Sequence, residues 1–412
     1  MHVPFHIRIG WTPLYSGRTG IGAPCGGATR CPPADVHRCP SAPAGARHAP
    51  NARRVDGASN GEGASMTMDI PATMKAVVFE RVGHWAVRQV PTPRLTGPTD
   101  LLVRVLACGI CGTDNQILLD PPGAHATPGV IIGHEMVAEV VAVGDAVDAF
   151  QPGDMVVGDN NLPCGHCTMC HGGQYNECAS LRSMGEDIDG FMCQYQVMPQ
   201  SQSIRLPAGT PVDTAVLTEP VNCAMGALQK LDLRPGKSYA VLGCGPIGLM
   251  FVALLKTSGA AHIVASDLSA ERLAMAGELG ADILCDRGSD PVAACRNATD
   301  GIGVDAAIDV VGCLLPQALD CVRKGGDVIA FGLNARSRQT IDQADLAMRG
   351  VTIHGTFIGH FTFETTARML AAGVVDLRRL ITDRFDIDDF GEALAALRSG
   401  SSCKVVIYPN GR

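Results

Sequence analysis

The 412-residue sequence contains no uninterrupted apolar run that is long enough to cross a bilayer, which takes about 20 residues. Its most apolar helical stretch, GPIGLMFVALLKTSGA, is interrupted by Lys256. Long blocks of like charge are also missing, and the formal net charge is only -8. We therefore expect a soluble protein without a membrane span and without a surface for nucleic acid or anionic lipid.

A secretory signal segment, charged and then apolar, is not found at the start of the chain. Many of the 17 cysteines stand singly in apolar runs, as Cys193 and Cys321 do. This usage does not indicate the disulfide framework of a small secreted protein. We expect a cytoplasmic enzyme in which the clustered cysteines bind metal.

Residues 1–73 contain no lysine and only one acidic residue before Asp56, but they are rich in proline, glycine, alanine and arginine. So many prolines and glycines argue against the amphipathic helix of an organelle transit peptide. We expect residues 1–73 to be a disordered or non-native extension, with Met66, Met68 and Met74 as candidate true starts.

Three patterns follow one another along the rest of the chain. From 74 to 224, short strands such as MKAVVFE and DLLVRVLA are separated by glycine and proline turns, which predicts a mostly β domain. Residues 225–357 repeat strand, glycine turn and helix, which predicts an α/β domain with a parallel sheet covered by helices. Residues 358–412 contain two helices and a closing strand, CKVVIYP, which we expect to return to the first domain.

A glycine-rich turn lies where the α/β domain begins, in the segment VLGCGPIGLM. It follows an apolar strand and opens an apolar helix, the context that a dinucleotide-binding turn requires. The first glycine permits the tight turn, the second lets the backbone approach a pyrophosphate, and the third lets the helix pack on the strand. A glycine turn without a ligand is the alternative. The cofactor-binding candidates in this turn are Gly243, Gly245, Pro246, Ile247 and Gly248.

An acidic residue, Asp267, ends the next predicted strand. A carboxylate at this position accepts both ribose hydroxyls of NAD and repels the 2′-phosphate of NADP. Arg272 lies nearby and would weaken that repulsion. We therefore expect NAD as the cofactor, favoured over NADP, with Asp267 and Arg272 among the cofactor-binding residues.

Four cysteines lie within fifteen residues in the segment PCGHCTMCHGGQYNEC. Four thiolates at such spacing close a tetrahedron around Zn²⁺ without help from distant parts of the chain. A site of this kind has no open position for substrate, so we expect it to stabilise a polar, glycine-rich loop. An iron–sulfur cluster is the competing interpretation. The ligands of this structural site are Cys164, Cys167, Cys170 and Cys178.

A second group of metal-binding side chains is dispersed along the chain, as is typical of catalytic sites. Cys111 opens the segment CGTD, His134 and Glu135 lie in GHE, and Glu219 lies in LTEP. One thiolate, one imidazole and one carboxylate, with water as fourth ligand, form a catalytic rather than a structural zinc set. Asp114 is suited to accept the second ring N–H of His134.

In this order, CGTD, GHE, the four-cysteine lobe, EP, GxGxxG and Asp, the motifs resemble those of the zinc-containing medium-chain dehydrogenases, the alcohol and polyol dehydrogenase superfamily. The resemblance covers residues 74–412. It implies a GroES-like catalytic domain followed by a Rossmann domain, with the active site in the cleft between them. It also implies two zinc ions per chain, one catalytic and one structural, and a homodimer or homotetramer.

Position by position, the resemblance implies roles for the residues of the dispersed group. Cys111 and His134 match zinc ligands, and Glu135 matches a glutamate that can approach the metal or exchange on it. Glu219 stands where polyol dehydrogenases have a glutamate ligand, which places the chain nearer the sorbitol and threonine dehydrogenases than the simple alcohol enzymes. Thr113 matches the hydroxyl residue that hydrogen-bonds the substrate oxygen.

Two positions beside Cys111 need their own interpretation. Many relatives have a histidine at the sixth position of the CGTD segment, where it passes the proton towards solvent, but this chain has Gln116. Glutamine does not titrate, so the proton must leave through water, the NAD ribose or another histidine such as His125. Cys108 forms a C-x-x-C pair with Cys111, and we expect it to be an apolar filler rather than a redox partner.

The sequence thus predicts a zinc-dependent oxidoreductase that oxidises a secondary alcohol to a ketone and transfers hydride to NAD. Zinc lowers the pKa of the substrate hydroxyl, and Thr113 accepts its proton. The expected partner is a small-molecule alcohol, namely a polyol, cyclitol, sugar or amino alcohol. The alternative is a catalytically idle NAD-binding scaffold of the same fold.

Overall fold

A computed structural model of the chain describes residues 70–412. The extension expected over residues 1–73 lies outside the described residues except for its last four positions. No helix within residues 70–412 is long and apolar enough to cross a membrane.

The first part of the described chain is built mainly of short strands. They are β1 (Thr73–Arg81), β2 (His84–Pro91), β3 (Asp100–Gly109), β4 (Glu135–Val143), β5 (Met155–Gly158), β6 (Asn161–Leu162), β7 (Arg182–Ser183), β8 (Tyr195–Pro199) and β9 (Ser203–Arg205). Four helices accompany them: α1 (Gly112–Ile117), α2 (Thr168–His171), α3 (Val212–Ala215) and α4 (Thr218–Leu228).

The second part alternates strands and helices. Its strands are β10 (Ser238–Leu242), β11 (His262–Ser266), β12 (Ile283–Cys285), β13 (Val304–Asp309), β14 (Val322–Ala330) and β15 (Thr352–Gly355). Its helices are α5 (Pro246–Thr257), α6 (Ala270–Glu278), α7 (Pro291–Asn297), α8 (Leu315–Cys321) and α9 (Gln343–Arg349). The chain closes with α10 (Phe363–Ala371), β16 (Ile381–Asp386), α11 (Phe390–Ser399) and β17 (Lys404–Tyr408).

The strands β10 to β15 form one parallel sheet in the order β12-β11-β10-β13-β14-β15. Counted within the sheet this is 3-2-1-4-5-6, the strand order of the Rossmann fold. All five residues of its central strand β10, SYAVL, are buried. Such a strand is apolar on both faces because helices cover both sides of the sheet.

A second sheet carries the other half of the molecule, with the order β16-β17-β3-β4-β5-β9 and β8 also paired with β3. The closing strand β17 pairs antiparallel with β3, placing Ile407 opposite Cys108. The end of the chain therefore returns to the sheet that contains β3 and β4. A hydrogen bond of 2.6 Å from Arg384 to Asp213 fixes β16 against α3.

The glycine-rich turn joins β10 to α5 by a sharp bend. Gly243 has a φ of +102°, a conformation that favours glycine. Gly248 lies so close to the turn that a Cβ atom would be 1.9 Å from the carbonyl oxygen of Gly243. A Cβ at Gly245, in contrast, would meet nothing within 4 Å. Gly248, the third glycine of the motif, is thus needed for packing. Gly245, the second, faces open space.

We expect Gly248→Ala to lower the free energy of unfolding by about 1–3 kcal/mol, the usual cost of overpacking. The matched variant Gly245→Ala adds the same methyl group where there is room, so its unfolding free energy should stay within about 0.5 kcal/mol of the parent. Urea unfolding followed by circular dichroism measures both. Equal losses in the two variants would contradict this account of the turn.

Candidate active site

Three of the predicted metal-binding residues meet at the ends of β3 and β4. The antiparallel pairing of these strands places Gly109 opposite Glu135. Cys111, two residues beyond β3, is the N-cap of α1, and His134 comes directly before β4. One candidate ligand atom from each of Cys111, His134 and Glu135 lies within 4.8 Å of the others. Strand register, rather than local spacing, brings the three together.

Asp114 supports this group from within α1. One of its carboxylate oxygens accepts the backbone N–H of Cys111 at 2.8 Å. The other lies 3.6 Å from Nδ1 of His134. Asp114 is fully buried, so it is held where it orients both the cysteine backbone and the histidine ring.

Polar atoms around these side chains lack hydrogen-bond partners among the described residues. They are Oδ1 of Asp114 and Nδ1 of His134, both buried. Burial opposes protonation of His134, but the charges of Asp114 and Cys111 outweigh it and hold its pKa well above the usual value. The surroundings therefore favour positive charge, which a metal cation would supply. The donor set fits zinc.

Glu219 is placed close to the group but is not part of it. It lies in the first turn of α4 and is absent from the three residues whose ligand atoms lie within 4.8 Å of one another. Burial raises the pKa of its carboxyl to about 7, with the charge of His134 acting in the opposite direction. Cys223, one turn later, donates its thiol to Oε1 of Glu219 at 3.3 Å. Ligation by Glu219 stays a prediction.

Lys404, which sequence reasoning missed, lies against Glu135 at the start of β17. Its ammonium contacts the Glu135 carboxylate and donates to the carbonyl oxygen of Ile110 at 3.0 Å. Burial alone would lower the pKa of Lys404, but the charges of Glu135, Cys111 and Glu219 together with the hydrogen bond to Glu135 outweigh it and raise that pKa. The only feature of the sequence that points to Lys404 is its position in CKVVIYP, the closing strand that is predicted to return to the first domain.

The glycine turn shares one cleft with the candidate metal-binding residues Cys111, His134 and Glu135, which are called the metal-type residues below. A cavity of about 340 Å³ is lined by Cys111 and Glu135 on one side. The predicted cofactor-binding residues that line it are Gly243, Gly245, Pro246, Ile247, Asp267 and Arg272. Gly248 is used in packing and does not line the cavity. The same cavity is thus lined by candidate metal ligands and by predicted cofactor-binding residues.

Asp267 is fixed at the edge of this cleft by the backbone. Its carboxylate accepts the N–H of Cys244 at 2.7 Å and that of Ser269 at 2.9 Å. Arg272 donates to the carbonyl oxygen of Gly400 at 3.3 Å. Asp267 therefore presents negative charge beside the glycine turn, while Arg272 joins the nucleotide side of the cleft to the C-terminal segment.

The four cysteines of the lobe converge as their spacing predicts. Their sulfur atoms all lie within 4.8 Å of one another. Sγ of Cys167 lies 3.6 Å from that of Cys170 and 3.9 Å from that of Cys178. Zinc–sulfur bonds of about 2.3 Å at tetrahedral angles require separations of about 3.8 Å. The sulfur positions therefore fit a Cys₄ zinc site.

Hydrogen bonds from backbone N–H groups also stabilise the thiolate form of two cysteines in the lobe. The N–H of Cys164 donates to Sγ of Cys178 at 3.3 Å, and this bond is the main cause that lowers the pKa of the Cys178 thiol. The N–H of Cys170 is the main cause that lowers the pKa of Cys167 to about 6. Deprotonated sulfur is the form that binds metal.

The residues considered for proton transfer lie in and after α1, and two of the three are exposed. Thr113 is half-buried in the first turn of α1, directly beyond the Cys111–Gly112 step. Gln116 is exposed, and its backbone oxygen accepts the N–H of Gly123 at 2.9 Å. His125 is exposed as well.

A larger cavity of about 490 Å³ contains none of the predicted site residues. It is lined by residues of the cysteine lobe, such as Tyr175, and by the segment before α10, such as His360. Cavity size therefore does not locate the chemistry in this fold. The convergence of metal-type and nucleotide-type residues does.

A metal-type donor set that opens into a dinucleotide cleft defines a class of protein, the metal-dependent nicotinamide oxidoreductases. Two family models match the chain. The alcohol dehydrogenase GroES-like domain matches residues 97–208, and the zinc-binding dehydrogenase model matches residues 246–372.

Individual relatives agree with these models. An L-threonine 3-dehydrogenase of Symbiobacterium thermophilum is 34% identical over 82% of this chain and 98% of its own length. A sorbitol dehydrogenase of Bacillus subtilis is 32% identical over 84% of this chain and 100% of its own length. A solved structure from Sinorhizobium meliloti 1021, with NADP bound, is 32% identical with a TM-score of 0.78, covering 82% of this chain and 100% of that one.

The chain belongs to the zinc-containing medium-chain dehydrogenase superfamily, near its sorbitol and threonine dehydrogenase branch. The expected fold, a GroES-like domain with a Rossmann domain, is confirmed. The expected class of activity, zinc-dependent oxidation of an alcohol with a nicotinamide cofactor, is confirmed at that level. No comparison supports the alternative of an idle scaffold.

Removing one lobe thiol tests the structural metal site. We expect Cys170→Ala to lose one equivalent of zinc per chain and to unfold at a lower temperature, because a three-sulfur site binds zinc poorly. Zinc is measured by plasma mass spectrometry after dialysis. The matched control is Cys295→Ala, a buried cysteine that belongs to neither group of candidate metal ligands in the described residues. An unchanged zinc content in the Cys170 variant would contradict the site.

Proposed function

We propose that the chain oxidises a secondary alcohol to a ketone, with hydride transfer to NAD, at the cleft that holds both groups of residues. One observation carries the proposal: Cys111 and Glu135 line the same cavity as Gly243, Gly245 and Asp267. Substrate held at the metal-type residues would lie beside a nicotinamide held by the glycine turn.

In this proposal Cys111 and His134 hold the catalytic zinc, with Glu135 and Glu219 as nearby carboxylates. Zinc, when bound, supplies Lewis-acid chemistry that lowers the pKa of a substrate hydroxyl. Asp114 keeps the imidazole of His134 in the orientation that ligation requires. The remaining residues position substrate and cofactor.

Thr113 is proposed to accept the hydroxyl proton of the substrate through a short hydrogen bond. Its place in the first turn of α1 ties its position to that of Cys111, the N-cap of the same helix. The proton then leaves through water, the NAD ribose or another histidine such as His125, because Gln116 does not titrate. The glycine turn holds the dinucleotide so that hydride passes directly to the nicotinamide.

The proposed substrate is a secondary hydroxyl of a polyol, cyclitol, sugar or amino alcohol. Relatives named for L-threonine and for sorbitol, an amino alcohol and a polyol, support this range. Glu219 also supports it, because its buried carboxylate lies close to the metal-type residues and adds negative charge to the site.

The cofactor is proposed to be NAD, and the metal content two zinc ions per chain. Asp267 supports NAD, because a carboxylate held beside the glycine turn repels a 2′-phosphate. The relative with NADP bound shows that this fold also accepts the phosphorylated cofactor. Two separate groups of candidate ligands support the metal count.

The domain limits are proposed as 74–224, 225–357 and 358–412. The antiparallel pairing of β17 with β3 supports the return of the last segment to the first domain. A homodimer or homotetramer and a cytoplasmic location stay predictions.

Variants at the metal-type residues test the reaction directly. We expect NADH production from a panel of secondary alcohols to be lost in Cys111→Ser, while binding of ADP-ribose persists because the glycine turn is intact. Asp114→Asn should lower activity about 10–100-fold, the usual effect of losing a carboxylate that orients a metal-binding histidine. Near-parental turnover in Cys111→Ser would contradict the proposed metal site.

The cofactor preference is tested at Asp267. We expect Asp267→Asn to reduce the ratio of kcat/KM for NAD to that for NADP by about tenfold or more, since a hydrogen bond to a charged group contributes about 1.5–3 kcal/mol. Asp282→Asn serves as control, because Asp282 accepts the N–H of Ile263 at 3.0 Å in the same sheet and does not line the cleft. An unchanged ratio in the Asp267 variant would show that this carboxylate does not select the cofactor.

A further inference from the structure

The larger cavity, of about 490 Å³, lies apart from the catalytic cleft, and the proposed function gives it no role. Among residues 70–412, none lines both this cavity and the nucleotide cleft. Its walls come from residues between 159 and 163, the cysteine lobe, the segment around the start of β9, α4 and residues 358–364. These segments are distant in sequence, so their side chains meet only in the folded protein.

One buried amide in this cavity has an unused hydrogen-bond donor. Asn222 of α4 lines the cavity and is 4% exposed. Its Oδ1 accepts the hydroxyl of Thr362 at 2.6 Å, whereas its amide nitrogen donates to no residue in the described part of the chain. A Cβ atom at Gly359 would lie 2.2 Å from that nitrogen, so a side chain there would collide with it. Since a buried donor without a partner is costly, the cavity is the place where a partner would bind.

Asp159 supplies an unused acceptor to the same cavity. Its Oδ1 accepts both the backbone N–H and the side-chain amide of Asn161, each at 3.0 Å. Its Oδ2 accepts no hydrogen bond from residues 70–412. The lining residues include no lysine or arginine, so no permanent cation within the cavity balances the carboxylate. The cavity therefore presents a free acceptor as well as a free donor.

Aromatic rings form one side of the cavity. The rings of Tyr175 and Phe361 meet edge to face, with centroids 5.4 Å apart, although Phe361 is 70% exposed. Phe361 has a φ of +55° and Ile358 a φ of +47°, values that are rare for such side chains. His360, between them, donates to the carbonyl oxygen of Gly173 in the cysteine lobe at 2.6 Å. The lobe thus holds an unfavourable backbone that presents an aromatic ring at the cavity, as is found at ligand clamps.

The unused groups define the chemistry of a ligand. A hydroxyl both donates and accepts, whereas an ammonium only donates and a phosphate dianion only accepts. Hydroxyl groups therefore satisfy Asp159 and Asn222 together, and neither ion does. Further amides and a hydroxyl line the cavity at Asn176, Gln202 and Ser201. The apolar C–H face of a sugar or polyol is suited to pack on the aromatic rings.

We propose that this cavity is a second binding site, separate from the catalytic cleft, for a neutral polyhydroxylated ligand such as a sugar or a polyol. Asp159 accepts one hydroxyl of the ligand, and Asn222 donates to another. Tyr175 and Phe361 contact its apolar face. The site goes beyond the proposed function, because it requires neither the catalytic zinc nor the nicotinamide.

Ligand binding is tested by saturation-transfer NMR and calorimetry with three neutral probes, methyl α-D-glucopyranoside, sorbitol and myo-inositol. Parent protein and Cys111→Ser are compared, because the variant removes a candidate ligand of the catalytic zinc and leaves the larger cavity intact. We expect at least one probe to bind both proteins with equal affinity, at one site per chain. The phosphate ester of that probe should bind several-fold more weakly, since Asp159 and Glu364 repel it.

Two variants locate the bound probe. Asp159→Asn keeps the size of the side chain and should weaken binding about tenfold or more, because a hydrogen bond to a charged acceptor is lost. Its control is Asp154→Asn, whose carboxylate accepts the N–H of Gln151 at 2.9 Å and does not line the cavity. Phe361→Ala should weaken binding several-fold without loss of folding, since the ring is exposed. Leu333→Ala, at an 80% exposed side chain outside the cavity, should bind like the parent.

Several results would overturn the second site. One is that none of the three probes binds, and another is that binding requires Cys111, which would place the probe in the catalytic cleft. Parental affinity in both Asp159→Asn and Phe361→Ala also overturns it. If no probe binds and Phe361→Ala changes the molecular mass measured by light scattering, the aromatic rings serve contact between copies of the chain instead. Loss or retention of NADH production bears only on the proposed function, so the two failures are distinguishable.

Discussion

The pairing of β3 with β4 on one side and β17 on the other is the constraint on which the site depends. These three strands come from distant parts of the sequence, yet their ends deliver Cys111, His134, Glu135 and Lys404 to one buried place. A one-residue slip would turn the side chains of a strand to the opposite face of the sheet. The burial of apolar side chains along β3 and β4 therefore also fixes the geometry of the candidate metal-binding residues.

The same pairing explains why the end of the chain matters for chemistry. The polypeptide leaves the parallel sheet after β15 and returns through α10 and α11 before β17 joins β3. This return places Lys404 between Glu135 and the nucleotide cleft. Arg272 meets the return segment at Gly400. The first contact joins the closing strand to Glu135, and the second joins the segment before that strand to a predicted cofactor-binding residue.

Features set by short stretches of sequence were predictable. The cysteine lobe needs only fifteen consecutive residues, and the glycine turn needs one strand and one helix. Cys111, His134 and Glu135 were predicted because they lie in short motifs, although only the sheet shows that they meet. In contrast, the Lys404–Glu135 contact depends on how the closing strand pairs with a strand from a distant part of the chain. No local pattern fixes such a contact between distant residues. Ligation by Glu219, in the first turn of α4, stays a prediction.

We propose that the chain holds two zinc sites of different composition, one with four sulfur ligands and one with a single sulfur. X-ray absorption at the zinc K-edge of the purified, fully loaded protein measures this most directly. The account predicts two zinc ions per chain and an average of about 2.5 sulfur ligands per zinc, with nitrogen or oxygen completing the shell. A single zinc surrounded by four sulfur atoms would contradict it.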